Sequence, residues 1–173
     1  MWCNLFKRVS NKQTNERFEV ITKAINQIFE TTTAYSQEVG SAMTVTTHAF
    51  DRLNHITDRV FMSLAKLDHV IWKVNTYLSV SHKEPAFTFV DHKNCRLGKW
   101  YNEGLGKKYF SNTPSYNKLD LPHSKVHNAT HHVFDAINNG NVDYDMAVKA
   151  LIEMESASKD VFKLLDNILH ERR

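Results

Sequence analysis

Only two cysteines, Cys3 and Cys95, occur in 173 residues, and their surroundings are unlike. A chain of this size with two cysteines is not a disulfide scaffold. Three prolines and five glycines leave few natural breaks, which argues against a turn-rich sheet protein and for long helices. No run approaches the roughly 18 apolar residues of a spanning helix, so no membrane span is expected. The first fifteen residues lack a continuous apolar core and a small-residue cleavage site, so no signal peptide is expected either. The 22 basic and 19 acidic residues are scattered, with a net charge of +3. No basic stripe with interleaved aromatics appears, which leaves nucleic-acid binding without support. A reducing, cytoplasmic setting fits these absences best.

What the chain does have is a long heptad pattern. Phe18, Ile21, Ile25, Ile28, Thr32, Tyr35, Val39, Ala42, Thr46, Ala49, Leu53, Ile56 and Val60 follow one another in steps of three and four. That spacing predicts a coiled-coil-like helix over 16–60, after a flexible N-terminus over 1–15. Thr and Ala weaken the seam in places, and Gly40 lies within it. Such a helix needs a partner, either within the chain or in a homodimer. Apolar spacing continues through Phe61, Leu64, Leu67, Ile71, Val74 and Leu78, so helix is expected to about Val80.

Beyond a break at 81–85, a short helix is expected from about Val90 to Glu103, ended by Gly104-Leu105-Gly106. The stretch to Pro114 reads as loop. A third helix is expected from about Leu119, with Pro122 in its first turn, stopped by Asn138-Asn139-Gly140. Asp143 should open the last helix. Its expected apolar face is Met146, Ala150, Ile152, Met154, Ala157, Val161, Leu164, Leu165 and Ile168. The resulting fold class is all-α: an antiparallel four-helix bundle over 61–173 with a long N-terminal helix.

Ten histidines are a surplus, and three local features use them. His123-Ser124-Lys125-Val126-His127 places two imidazoles at i and i+4, about 6 Å apart on one helix face. Both can then reach one ion at about 2.0–2.1 Å. Alone, such a pair arises by chance in a histidine-rich chain. Ser124 stands where a zinc protease carries its glutamate base, so hydrolysis loses its base. Cys95, in Cys95-Arg96-Leu97-Gly98-Lys99-Trp100, falls at a helix start, where the thiolate form is favoured. An inert buried cysteine fits that spacing equally well. His69 sits in an apolar stretch with Leu64, Leu67, Ile71 and Trp72, where a lone histidine is commonly a core residue.

Taken together, in this order and at this spacing, the three features resemble the chemoreceptor zinc-binding (CZB) domain family. The resemblance covers about residues 60 to 170. It rests on His69 with Trp72, the Cys-x-Leu-Gly-x-Trp block at Cys95–Trp100, and the pair His123 and His127. It implies a helical-bundle domain, often dimeric, in which His69, Cys95, His123 and His127 bind Zn2+. It also implies a bacterial signalling role of the chemotaxis type.

Four protein ligands would close a tetrahedral site to substrate, so no catalytic residues and no enzyme activity are expected. Oxidation of Cys95 would remove a thiolate donor. The expected function is a sensory module responding to zinc or to that oxidation. The alternative is a dimerisation adaptor in which zinc is only a staple. A chemoreceptor's kinase-coupling tip and a cyclase domain are both missing from these residues, which suggests a stand-alone sensor or a shortened receptor. Its expected partners are a second copy, and chemoreceptors or other signalling proteins through the N-terminal helix.

His131 continues the His127 face, where it can add a donor or a hydrogen bond to the site, but surface exposure is the expectation for it. His48, His55, His82, His92 and His170 are expected at the surface, and Asp68 and Asp91 as hydrogen-bond partners of ligand imidazoles.

Overall fold

The computed structural model describes residues 2–138 and 140–172, with side chains from residue 12 onward. The chain divides into two units, Met1–Asn54 and His55–Arg173. Helix α1 (Trp2–His82) contributes residues to both. It begins inside the segment 1–15 expected as a flexible terminus, and the side chains of 1–11 lie outside the described residues.

In the first unit the helix keeps its heptad seam exposed. Phe18, Ile25, Ile28, Tyr35 and Leu53 are all more than half accessible. The threonines are satisfied within the helix. Thr22, Thr32 and Thr46 each donate to the carbonyl four residues back, all at 2.8 Å. A hydroxyl engaged this way needs no outside partner, so Thr costs the seam less than its polarity suggests.

The second unit holds the core. After α1 come α2 (Arg96–Asn102), α3 (Leu105–Phe110), α4 (Pro114–Asp135) and α5 (Tyr144–Glu171). A two-stranded antiparallel hairpin, β1 (Ile137–Asn138) with β2 (Asn141–Val142), joins the last two helices. Met62 and Ala65 of α1, Trp100 of α2, Phe110 of α3, Leu119 and Val126 of α4, and Met154, Val161 and Leu165 of α5 form one buried cluster. The unit is all-α apart from the hairpin, with two short helices, α2 and α3, between the long ones.

Three differences stand out, and the first two have identifiable causes. Helix α3 occupies the stretch expected as loop. Phe110 is fully buried there, 5.4 Å from the Trp100 ring, so burial overrides the two glycines that read as terminators. Helix α4 starts at Pro114 rather than Leu119, leaving Pro122 in its interior. Its first turn is capped from a distance: Glu171 of α5 accepts from the Ser115 amide at 2.9 Å and from its hydroxyl at 2.6 Å. A carboxylate there satisfies a free N–H and complements the helix dipole. On α5 the buried face runs through Ala147, Ala150, Met154, Ala157, Val161, Leu165 and Ile168, while Met146 and Ile152 are exposed.

Other expectations hold. Helix α1 ends at His82. Gly140 takes the left-handed φ expected, 77°, but in the hairpin turn rather than as the cap of α4, whose C-cap is Ala136; its neighbour Asn139 lies outside the described residues. Asp143 caps α5 by accepting from the Met146 amide at 3.0 Å.

Candidate metal centre

Three helices carry the four expected residues; the three histidines form the mutually close set, and Cys95 joins it through His123. His69 comes from the second-unit part of α1, Cys95 is the N-cap of α2, and His123 and His127 lie one turn apart on α4. All three histidines are buried, at 4%, 2% and 3% exposure, and Cys95 is half-buried. The His69 ring centre is 5.2 Å from that of His123 and 6.3 Å from that of His127, and the α4 pair is 5.0 Å apart. One ring nitrogen from each of the three can be chosen so that all lie within 4.8 Å of one another. The Cys95 sulfur is 3.3 Å from His123 Nε2. Around a tetrahedral zinc, sulfur at about 2.3 Å and nitrogen at about 2.05 Å stand roughly 3.5 Å apart, close to this value.

Two backbone carbonyls set the tautomers. His69 Nδ1 is 2.8 Å from the Ala65 carbonyl, and His127 Nδ1 is 2.7 Å from the Val90 carbonyl. A carbonyl only accepts, so each Nδ1 carries the proton and each Nε2 offers a lone pair. This is how ligand imidazoles are oriented in metal sites. His69 Nε2 is buried and has no hydrogen-bond partner within the protein. A buried polar atom left unpaired costs about 1–3 kcal/mol. An ion bonded at that nitrogen would remove the cost, and this is the most direct sign that the residues fit a metal.

The electrostatics agree. Burial, aided by neighbouring imidazoles, pushes His123 down to about 2 and His127 to about 4, and burial also lowers His69. The rings are therefore neutral, which is the ligand form. Cys95 departs from expectation. Burial raises its pKa, and the amides of Gly98 and Leu97 only partly offset this, with Asp68 and Asp91 adding to the rise. The α2 N-terminus does donate, through Gly98 N–H to Sγ at 3.3 Å, but desolvation wins. Metal binding would have to displace the thiol proton.

These shifts predict an acid sensitivity of the metal-free protein. An unfolded histidine titrates near 6.5, whereas His127 and His123 stay neutral in the fold until about 4 and about 2. Below pH 6.5 the unfolded chain therefore binds protons that the folded chain refuses. Stability is full above 6.5 and falls as pH drops, by up to about 1.4 kcal/mol per pH unit per histidine. Urea unfolding of chelator-treated protein is expected to show a clearly lower midpoint at pH 5 than at pH 7.5. Equal midpoints would mean that the imidazoles are not held neutral.

The segment before α2 acts as a strap. Asp91 turns it by accepting from the Lys93 and Asn94 amides at 2.8 and 3.1 Å and from the Asn94 side chain at 2.6 Å. Gly98 lies under the strap, where an added Cβ would come 1.9 Å from the His92 carbonyl oxygen. Only glycine fits that close approach. Trp72 packs on the His127 ring, with centres 4.5 Å apart, and donates from Nε1 to Thr130 at 2.8 Å. A cavity of about 40 Å³ remains beside His69, Cys95 and His127, walled also by Trp72 and Leu97.

The remaining residues fall partly as expected. Asp68 pairs with Arg96 at 3.2 Å, and neither it nor Asp91 orients a ligand ring through any hydrogen bond among the described residues. His131 is exposed and bonded to Asp135 at 2.9 Å. His92 is half-buried rather than on the open surface, its ring centre 5.8 Å from that of His123. His48, His55, His82 and His170 are exposed. Sequence reasoning missed Ala65 and Val90, which act through backbone carbonyls and so leave no side-chain signature.

Residues 69–134 match the model of the chemoreceptor zinc-binding domain, CZB. The match begins on His69 and spans Cys95, His123 and His127; residues before 69 and after 134 lie outside it. No curated protein and no solved structure gives a significant match.

Proposed function

We propose that this chain, which belongs to the chemoreceptor zinc-binding domain family through residues 69–134, holds one zinc ion on His69, Cys95, His123 and His127 and uses it as a regulatory element in signal transduction. The observation that carries the reading is the buried, unpartnered His69 Nε2, facing a set of neutral imidazoles and one thiol. Bound zinc would supply a cross-link between α1, α2 and α4. Binding energy at such sites is folding energy.

The role is regulatory rather than catalytic. Four protein donors complete a tetrahedral shell, and a cavity of about 40 Å³ holds a water or two but not an organic substrate. Cys95 is the one oxidisable donor of the set. Loss of its thiolate weakens the cross-link, so zinc level and thiol oxidation act on the same helices.

The long exposed seam supports a second element of the proposal. Apolar residues off the narrow seam, Phe29, Met43 and Phe50, are also exposed, which widens the stripe. An apolar surface this long calls for a partner. A second copy of the chain is the proposed one, with other signalling proteins as further candidates. No described helix is long and apolar enough to cross a membrane, and a cytoplasmic setting is part of the proposal.

The rival reading is a zinc staple with no signal. Hydrogen exchange on the full chain, zinc-loaded and chelated, separates the two. Sensing predicts that zinc removal changes protection both in residues 55–82 of α1 and within 1–54. A staple predicts loosening confined to the second unit.

A further inference from the structure

The cavity beside the three helices has a charged mouth. His69, His127 and Leu97 line it at 4%, 3% and 1% exposure, and Trp72 and Cys95 are half-buried. Its two remaining lining residues are Asp68 and Arg96, whose side chains are 39% and 53% exposed. They come from different helices, and the Arg96 Nε to Asp68 Oδ2 distance is 3.2 Å. Each is the chain neighbour of a site residue: Asp68 precedes His69 and Arg96 follows Cys95. A half-exposed ion pair of this kind contributes roughly 0–1 kcal/mol, so it opens and closes readily. No other charged residue lines the cavity.

We propose that the Asp68–Arg96 ion pair is the gate of this site: small solutes reach Cys95 Sγ and His69 Nε2 by passing between the two charges, and the pair decides which charge types pass. With the pair intact the mouth is balanced, offering a carboxylate to an incoming metal cation and a guanidinium to an incoming small anion such as a chelator or an oxidising anion. Removing either partner leaves one sign of charge at the mouth, where low-dielectric walls focus its field.

The inference rests on the metal-centre reading for its purpose only. Its test uses the metal-free full chain and succeeds or fails whether or not zinc binds. In a Cys3→Ser background, Cys95 is the single thiol. Its alkylation is measured with iodoacetate and with iodoacetamide, which have similar size but differ in charge. The ratio of the two rates cancels any change in thiolate fraction or intrinsic reactivity, because both reagents meet the same sulfur.

Arg96→Ala is expected to lower the iodoacetate-to-iodoacetamide ratio about three- to tenfold, and Asp68→Asn to raise it by a similar factor, as one unit charge a few ångströms from the path would do. Arg96→Gln, which keeps most of the side-chain stem, is expected to match Arg96→Ala and guards against loss of packing. Lys107→Ala removes an equal charge from an exposed position on α3 that does not line the cavity and is expected to leave the ratio within about twofold of the parent, as a solvent-screened charge should. A ratio unmoved in both gate variants would overturn the proposal. So would a ratio that shifts as much in Lys107→Ala, which would make net charge rather than the gate responsible.

Discussion

His69→Phe is expected to lower zinc affinity by more than a hundredfold while leaving the metal-free protein as stable as before, or more so. Groups that merely orient ligands cost about 10–100-fold when removed, and loss of a donor should exceed that range. The stability half of the prediction separates a ligand from a core histidine. In the metal-free fold, His69 Nε2 is buried without a partner, and burial holds the ring neutral. Phenylalanine fills a similar volume beside Phe162, whose ring centre is 6.5 Å away, and carries no polar atom to strand. Its one lost hydrogen bond, to the Ala65 carbonyl, is of the kind worth about 1 kcal/mol, comparable to the penalty removed. Urea unfolding in chelator and competition with a chromophoric zinc indicator would measure the two halves. A strongly destabilised metal-free variant with unchanged zinc affinity would make His69 a structural residue.

Gly98→Ala is expected to destabilise the second unit by about 3 kcal/mol, at the upper end of overpacking costs. The atom in the way is the His92 carbonyl oxygen at 1.9 Å, with Lys93 backbone at 2.7 Å. Backbone cannot swing aside as a side-chain tip can. Yielding means shifting the strap that holds the Val90 carbonyl on His127 and sets Cys95 at the α2 N-terminus. Zinc affinity should therefore fall as well, although glycine donates nothing to the ion. Parallel urea unfolding and zinc titration check both effects, and an unchanged unfolding midpoint would contradict the packing described around Gly98.

These two residues show how legible the site was. Side-chain donors leave a trace: the i, i+4 pair on α4, a cysteine at a helix start, and a histidine among apolar neighbours are all visible as letters. Their assembly came from order and spacing matched to a family pattern, since no single feature rises above chance. The orienting groups left none, because Ala65 and Val90 act through carbonyls that every residue owns. The charge on Cys95 was misjudged for a related reason. A helix N-terminus is local and readable, whereas desolvation depends on what packs around the sulfur.

The fold divides in the same way. The heptad helix, the Asp143 cap and the Gly140 turn are encoded within a few residues. The start of α4 is not, because its cap is Glu171, 56 residues away. Helix α3 likewise follows from burying Phe110 against Trp100 rather than from its own propensity.

The central claim is that His69, Cys95, His123 and His127 close a single zinc site. Zinc K-edge X-ray absorption on the full chain tests it most directly. One zinc per chain, surrounded by three nitrogens at about 2.0–2.1 Å and one sulfur at about 2.3 Å, is the predicted result, with the sulfur lost in Cys95→Ala. A protein that takes up no zinc, or one whose zinc shows only nitrogen and oxygen neighbours, would contradict it.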